Sequence, residues 1–445
     1  MTPARFFVVL AALFAALAVY FVPRMDASGD EPHYLIMAQS LWREHDLDLR
    51  DNYAREDWRE FRSGPIEPHY AAPRKDGRPF PGHAPGLSFL LAPVYALGGR
   101  LACAMFLGAL VAGAAALVFR VALAEGLSGG AALFAGLLAA GPPLAAFGLH
   151  IYTEAPSALL LFAAYAALRF GDSTRAPLVA ALCACALPFL HPKMALGSVA
   201  IALAAFLFRD RVSLRAFLAV AGLGAAVYGG FWLSIFGVPT GLGVYGGVPE
   251  DAAFNPAQAL LGLLFDRAYG LLPIAPVFAA ILLPDWTRAR GKVELRAQRA
   301  EIAIVVAIAL PILLWRMWWG GQSPPARLLA PVAPFLALWV ARLRDGSTAT
   351  LRRAMTGAVV WSWALFLFAA LQPLRLLFIN KRVRPARLWD ALWPGGPIDA
   401  WLPDMARPVG SDWLIAIAWA GGLTALAVAV RRRPKEVPLP SSRLS

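Results

Sequence analysis

The stretch that decides the fold runs from Phe6 to Leu35 and reads FFVVLAALFAALAVYFVPRMDASGDEPHYL. Its apolar part, Phe6 to Val22, is long enough to cross a bilayer as a helix, at about 1.5 Å of rise per residue. We interpret it as an uncleaved first span, although the positive start at Arg5 leaves a cleaved signal peptide as the alternative. Two adjacent carboxylates, Asp30 and Glu31, follow at once in the motif GDEPHYL. Two carboxylates directly after a membrane span suggest a catalytic site at the membrane surface.

Composition sets the broad class of the whole chain. Of 445 residues, 59% are hydrophobic and only 16% are charged, whereas soluble domains have about 25% charged residues. The net charge of +13 does not indicate nucleic-acid binding, because Lys and Arg lie mainly between apolar runs and in the C-terminal tail, as the positive-inside rule expects. The chain is therefore predicted to be a polytopic membrane protein.

Hydropathy and charge together predict an all-α integral membrane protein with about twelve transmembrane helices. Both ends are expected in the cytoplasm, with residues 1–430 as one transmembrane domain and 431–445 as a basic cytoplasmic tail. A long first outer loop, 23–97, is expected to carry interfacial helices at 31–45 and 85–97, and a late outer loop covers 378–412. The predicted spans are 6–22, 101–119, 130–149, 153–168, 176–190, 194–208, 214–236, 270–284, 301–318, 327–341, 355–376 and 413–430.

The three cysteines lie within apolar runs and are interpreted as small apolar side chains, not as metal ligands or disulfide partners. They are Cys103, Cys183 and Cys185. Cysteine usage therefore says little about the compartment.

The first candidate site residues are the carboxylates. Asp30 has two readings: it caps the helix that follows it, or it accepts a proton from an acceptor hydroxyl or amine while Glu31 orients the site. Glu154, in HIYTEAPSALL at the end of a predicted span, is either an interfacial carboxylate or a third member of the site facing Asp30. We predict all three as catalytic residues.

Cations on the same predicted side supply the second half of the site. Lys193 in FLHPKMAL, Arg267 in FDRAYGLLPIAP and Arg327 in WWGGQSPPARLLAPVAP lie there against the positive-inside trend. Because Arg and Lys bind phosphate oxygens, a phosphate-bearing lipid is the predicted partner, with helix-end anchoring to headgroups as the alternative. A second basic group in the late loop, Lys381, Arg382, Arg384 and Arg387, either guides an anionic lipid or is a surface patch.

Histidines and polar residues of the same motifs complete the prediction. His33, His69 and His83 are candidate ligands for a divalent ion with Asp30 or Glu31, although no fixed ligand spacing supports this. The predicted substrate contacts are His33, Tyr34, Tyr269 and Gln322.

The order of these features resembles the GT-C glycosyltransferases, and most closely the protein O-mannosyltransferase and lipid A aminoarabinose transferase group. The features that carry this resemblance are, in chain order, a first span, the motif GDEPHYL, interfacial helices, many spans, Thr153–Glu154 in the second outer loop and later arginine motifs. The resemblance covers most of the chain in layout and only short patches in residues. It implies Asp30 as the base, Glu154 as a further acidic site residue, and His83 where relatives carry a phosphate-contacting cation.

The resemblance also implies an activity. The expected reaction moves a sugar from a polyprenyl-phosphate donor to a cell-envelope glycan, lipid or protein at the periplasmic or outer face of a bacterial inner membrane, with inversion at the anomeric carbon and no nucleotide or redox cofactor. Two other classes are considered: a flippase for polyprenyl-linked lipids or oligosaccharides, which would need polar residues through the membrane midplane, and a non-catalytic scaffold in which Asp30 is only a helix cap.

Overall fold

The structure is a computed structural model, and it describes residues 1–172, 174–241, 255–282, 292–372 and 387–432. These residues are almost entirely helical. They contain no β-strand, and their one β-bridge joins Tyr70 and Pro81. The prediction of an all-helical, polytopic membrane protein is confirmed.

The helices fall into a long N-terminal series and a more interrupted C-terminal series. The first series is α1 (Pro3–Phe21), α2 (Glu31–Arg43), α3 (Arg50–Ala54), α4 (Gly86–Ala124), α5 (Gly129–Ala140), α6 (Glu154–Phe170), α7 (Ala176–Leu190), α8 (Ala195–Phe208) and α9 (Arg211–Phe236). The second series is α10 (Pro256–Phe265), α11 (Leu271–Ile274), α12 (Lys292–Leu313), α13 (Ala333–Asp345), α14 (Ala349–Leu371), α15 (Arg387–Leu392), α16 (Ile398–Trp401) and α17 (Gly410–Arg432).

Helix α1 matches the predicted first span. It begins at a Thr2 cap, whose side chain accepts a hydrogen bond from the Arg5 backbone N–H, with Pro3 in the first turn, where a missing N–H costs nothing. Helix α4 joins the predicted interfacial piece to the second span across a kink at Gly98 and Gly99. Gly99 has φ +55°, a left-handed backbone that glycine adopts without a steric penalty. This kink separates the interfacial helix predicted at 85–97 from the span predicted at 101–119.

Five of the described helices are long and apolar enough to cross a membrane: α1, α4, α9, α14 and α17. Some of the predicted spans are not continuous α-helices in the described residues. The span 130–149 is wrong, because α5 ends at Ala140 before Gly141, Pro142 and Pro143, and a short 3-10 helix, Leu144–Gly148, follows. The span 270–284 is also wrong within the described residues, where α11 and a 3-10 helix, Pro276–Leu282, replace it. A total of about twelve spans stays a prediction.

The first outer loop is folded onto the bundle. Helix α2 occurs where the amphipathic pattern predicts it, but it is buried on nearly all sides, from Tyr34 to Ser40. Further along the loop, Phe80 packs edge-on against Trp232 and Phe236 near the end of α9. The loop is therefore a fixed part of the structure that covers one end of the helices.

Candidate functional site

Arg327 lies at the centre of the candidate site. It begins a 3-10 helix, Arg327–Val332, just before α13. Its Nη2 lies 2.7 Å from Asp30 Oδ2, and its Nε donates to Glu154 Oε1 at 3.0 Å. Its Nη1 donates to the Gly320 carbonyl at 2.9 Å. One buried guanidinium thus joins carboxylates from the first outer loop and from the start of α6. We call Asp30, Glu154, Lys193 and Arg327 the Asp30 cluster.

A tight turn before Arg327 sets its position. Gly320 and Gly321 have φ +78° and +75°, and Ala326 has φ +52°. A side chain on Gly320 would meet Arg327 Cδ at 3.2 Å, so both the backbone geometry and the available space favour glycine. The Ala326 N–H donates to the Tyr269 carbonyl at 2.9 Å. The GGQSPPAR sequence is therefore a rigid support for the arginine.

The carboxylate of Asp30 is not used as a helix cap. Asp30 occupies the cap position of α2, but its side chain makes no capping hydrogen bond and pairs with Arg327 instead. Burial raises the pKa of Asp30, but the charge of Arg327 and the hydrogen bond from this arginine lower the pKa by more, so the net shift is downward. Asp30 is therefore an ionised carboxylate at neutral pH, and 25% of its side chain is exposed.

Tyr152 completes this arrangement and was not predicted from the sequence. The Arg327 guanidinium lies 4.4 Å from the centre of its ring, a cation–π contact. Its hydroxyl donates to the Gln322 carbonyl at 3.1 Å and accepts from the Asp30 N–H at 3.3 Å. The available signal was an aromatic residue two positions before Glu154 in the motif HIYTE. Through these contacts Tyr152 links Asp30, Arg327 and the Gln322 backbone.

Lys193 differs from Arg327 in having no hydrogen bond. It lies in the short 3-10 helix Pro192–Met194, and its Nζ is buried with no hydrogen-bond partner among the described residues. Glu154 Oε1 is 3.9 Å away, and 10% of the lysine side chain is exposed. Burial lowers the pKa of Lys193 to about 8, and the Glu154 charge limits this fall. The ammonium is therefore largely charged at neutral pH and free to donate to an anion.

Three imidazoles lie on the Asp30 side of Arg327, and we call His33, His69 and His83 the imidazole group. Their ring centroids are 5.0 to 5.7 Å apart. Burial lowers the pKa of His33 to about 3 and that of His83 to about 4, so both are neutral at pH 7. Within the described part of the chain, no group of His, Cys, Asp and Glu has a geometry that could hold a metal ion.

Glu31 faces away from the Asp30 cluster. It is fully buried and accepts hydrogen bonds from the Ser28 and Ile151 N–H groups at 3.1 and 2.8 Å. Arg100 Nη2 and His150 Nδ1 lie 3.6 and 3.3 Å from its Oε2. Neighbouring helical residues point about 100° apart, which explains why Asp30 and Glu31 have different partners. The contacts of Glu31 hold α2 against α4 and the start of α6.

The remaining predicted residues are placed in a neighbouring layer. Arg267 pairs with Asp404 at 2.9 Å, and its role as a phosphate ligand stays a prediction. Tyr269 is buried and touches the site through its carbonyl, which accepts from Ala326. Gln322 contributes its carbonyl to Tyr152, and its side chain is exposed. Tyr34 stacks on His83 at 4.7 Å.

The predicted basic group in the late loop lies outside this description. Lys381, Arg382, Arg384 and the side chain of Arg387 fall outside the described residues. Their role stays a prediction.

No protein-family model matches the chain, and no curated protein matches it. Among solved structures, it is similar to ArnT from Cupriavidus metallidurans in the apo state, with a TM-score of 0.49 and 14% identity over 96% of this chain and 72% of that chain. It is also similar to the apo oligosaccharyltransferase of Archaeoglobus fulgidus, with a TM-score of 0.46 and 13% identity over 97% of this chain and 61% of that chain. Likenesses of this degree do not fix an activity, so function must be inferred from the side chains of the site.

Proposed function

We propose that this protein is a membrane glycosyltransferase that moves a sugar from a polyprenyl-phosphate donor to a cell-envelope acceptor, with Asp30 as the general base. One observation carries the proposal: Lys193 presents a buried ammonium without a hydrogen-bond partner beside Glu154, which shares Arg327 with Asp30. A buried charge without hydrogen bonds is costly. A phosphate oxygen is a natural partner for it.

The charges of the Asp30 cluster suggest separate tasks for its two cations. Asp30, Glu154, Lys193 and Arg327 sum to zero, and each nitrogen of the Arg327 guanidinium already has an oxygen partner. Lys193 is therefore the main ligand of the donor phosphate. Arg327 holds the two carboxylates in place and adds positive charge next to the leaving group.

The reaction then needs one base and one leaving group. The acceptor oxygen forms a bond to the anomeric carbon as the bond from that carbon to the phosphate oxygen breaks. The acceptor proton passes to Asp30, and the bonding electrons leave with the polyprenyl phosphate, whose charge Lys193 stabilises. Attack in line with the departing oxygen inverts the anomeric carbon. Glu154 keeps Arg327 oriented and does not touch the reacting atoms.

The position of Asp30 is compatible with this role. It is partly exposed, whereas Glu154 is fully buried, so an acceptor can reach Asp30 but not Glu154. Its lowered pKa keeps it ionised, which is the state a base requires. A periplasmic or external location of the site, and a bacterial polyprenyl carrier, belong to the same proposal.

The test compares Asp30→Asn with the wild type in the native host. Equal folded amounts are confirmed first, and then envelope glycans and lipid-linked sugars are measured by mass spectrometry. We expect Asp30→Asn to lose one glycan modification while its lipid-linked donor accumulates, since the loss of a general base slows transfer by about 10²- to 10⁴-fold.

Asp26→Asn is the matched control, because Asp26 is an exposed carboxylate in the same loop. It should leave both profiles unchanged. Unchanged profiles in Asp30→Asn would refute the transferase and favour a scaffold. Accumulation of the donor on the cytoplasmic face alone would instead favour a flippase.

A further inference from the structure

The imidazole group is a second feature beside Asp30, and the reaction proposed above does not use it. His83 is only 8% exposed, and its Nε2 is buried without a hydrogen-bond partner among the described residues. His69 is exposed, and His33 lies between these extremes. The three rings therefore lead from the outer surface of the loop to a buried polar nitrogen next to Asp30.

The local fold holds these rings in place. The Gly82 N–H donates to the His69 carbonyl at 2.9 Å, and a side chain on Gly82 would collide with the His69 ring at 2.1 Å. His33 Nδ1 lies 2.8 Å from the Tyr53 hydroxyl, which also accepts from the His69 N–H at 3.5 Å.

The position of the imidazole group relative to Asp30 indicates its role. Arg327 contacts Asp30 through Nη2 and Glu154 through Nε, and Lys193 Nζ lies 3.9 Å from Glu154 Oε1. The electrostatic partners of Asp30 are His83 and His33, besides Arg327. The acceptor hydroxyl that gives its proton to Asp30 must lie next to this carboxylate. The imidazoles that border Asp30 therefore lie where the acceptor is expected.

Chemistry then limits the acceptor. The neutral imidazoles of His33 and His83 and the hydroxyl of Tyr53 offer hydrogen bonds and flat aromatic faces, which suit a sugar ring. These groups supply no charge to bind an anion, and the charge of Asp30 is already neutralised by Arg327. We propose that the imidazole group is the acceptor subsite and that the acceptor is a neutral, hydroxyl-bearing sugar. This inference rests on the glycosyltransferase function proposed above and specifies the substrate of the same site.

Ligand-observed saturation-transfer NMR on the full chain in an amphipol tests the subsite, since glycoside detergents would compete with the ligands. The probes are methyl α-mannoside, glucosamine as the cationic sugar and glucuronate as the anionic sugar. We expect saturation of methyl α-mannoside to exceed that of both charged sugars by at least threefold. Equal signals from the three sugars would overturn the proposal.

Matched histidine variants locate the binding. His83→Asn should reduce the mannoside signal at least fivefold and His69→Asn should reduce it by about half, whereas His45→Asn, an exposed histidine in the same loop, should not change it. If His83→Asn is not folded, as judged by gel filtration, the exposed His69→Asn variant still decides. An undiminished signal in His69→Asn and His83→Asn would refute the subsite.

A second probe separates this inference from the proposed function. Dodecyl phosphate binding should be retained in His83→Asn and lost in Lys193→Met. If binding depends on Lys193 while the mannoside signal does not depend on the imidazoles, only the acceptor subsite fails. If dodecyl phosphate binds equally well to wild type and Lys193→Met, the glycosyltransferase proposal itself fails.

Discussion

Two buried ionic clusters lie at opposite ends of the same pair of helices, and they are built in different ways. Helix α6 carries Glu154 at its first residue and Arg169 near its last, about 22 Å apart along the axis. The segment that starts at Arg327 and continues through α13 carries Arg327 and Arg342 at a similar separation. Glu154 and Arg327 belong to the Asp30 cluster. Arg169 and Arg342 belong to the Glu301 cluster, which also contains Glu125, Tyr165, Glu301 and Trp339.

In the Glu301 cluster every carboxylate oxygen is hydrogen-bonded. Arg342 donates to both oxygens of Glu301 at 2.6 Å and to both oxygens of Glu125 at 2.6 to 2.7 Å. The Trp339 indole donates to Glu301 at 2.7 Å, and Tyr165 and Arg169 donate to Glu301 and Glu125. Two carboxylates and two guanidiniums balance in charge. This cluster fastens α4, α6, α12 and α13 together.

The Asp30 cluster also sums to zero charge, but its hydrogen bonds are unequally distributed. Each of the three nitrogens of the Arg327 guanidinium has an oxygen partner, while Lys193 Nζ and, next to the cluster, His83 Nε2 are buried without hydrogen bonds among the described residues. Partly satisfied polar networks cost stability unless a ligand completes them. Both clusters sum to zero charge, so hydrogen-bond satisfaction, and not charge alone, distinguishes the structural network from the candidate binding site.

The largest expected effect comes from breaking the Glu301 cluster. Arg342→Met leaves two buried carboxylates without their main partner, and we expect a loss of about 3–5 kcal/mol in the free energy of unfolding. Thermal unfolding and gel filtration of the purified chain measure this loss. Arg353→Met, at an exposed position in α14, should cost less than about 0.5 kcal/mol. Equal stability of the two variants would contradict the structural role of the cluster.

Lys193→Met should show the opposite behaviour. It removes a buried ammonium without hydrogen bonds, so the free energy of unfolding should stay the same or rise. Affinity for dodecyl phosphate should fall about 100-fold, or about 2.7 kcal/mol, as measured by calorimetry. Lys75→Met, an exposed lysine in the first outer loop, serves as the control. A clear loss of stability in Lys193→Met without a loss of binding would assign Lys193 to structure.

The pH dependence of stability, measured for the wild type and for Lys193→Met, tests whether the Lys193 ammonium is buried in the folded protein. The pKa of Lys193 is about 8 in the folded protein, below the ordinary lysine value of about 10.4. Between these values the unfolded chain binds more protons than the folded one, so Lys193 makes stability rise with pH in this window. Stability of the wild type minus that of Lys193→Met should therefore increase from pH 8 to 10, while dodecyl phosphate binding weakens about tenfold per pH unit above 8. If this difference in stability does not change with pH, the Lys193 ammonium is exposed to solvent in the folded protein.

A smaller effect is expected at Glu154. Glu154→Gln removes a negative charge 3.9 Å from Lys193, so dodecyl phosphate should bind about fivefold more tightly, or about 1 kcal/mol. Turnover should fall, because Arg327 loses the charge that orients it. Glu60→Gln is a control in the first outer loop. Weaker phosphate binding by Glu154→Gln would mean that Glu154 does not compete for the cations.

The smallest effect is expected for an exposed ion pair. Arg43 and Glu60 lie 2.8 Å apart with about half of each side chain exposed. Pairs of this kind contribute about 0.2–1 kcal/mol. Arg43→Gln should therefore change the free energy of unfolding by less than about 0.5 kcal/mol in denaturant titrations and leave phosphate binding unchanged. A larger loss would show that distance alone, without burial, explains the strength of the Glu301 cluster.

Sequence patterns predicted several site residues individually. Asp30, Glu154, Lys193 and Arg327 were each identified from charge at the end of an apolar run, and the structure brings them together. Tyr152 was missed because a buried aromatic residue near a helix start has many ordinary roles. The pairing of Arg267 with Asp404 was not predicted, because Asp404 is 137 residues away and no local pattern connects the two residues.

The class of the protein could be predicted from the sequence alone. Its apolar segments, separated by charged residues, can satisfy their backbone hydrogen bonds within a membrane as a bundle of helices. The sequence also determined the α4 kink at Gly98 and Gly99, which is a local backbone property. Only the tertiary structure decided that Arg327 serves Asp30 and Glu154 together, since the Glu154 contact spans 173 residues. Such contacts depend on how helices pack, and packing is a property of the assembled bundle and not of any one segment.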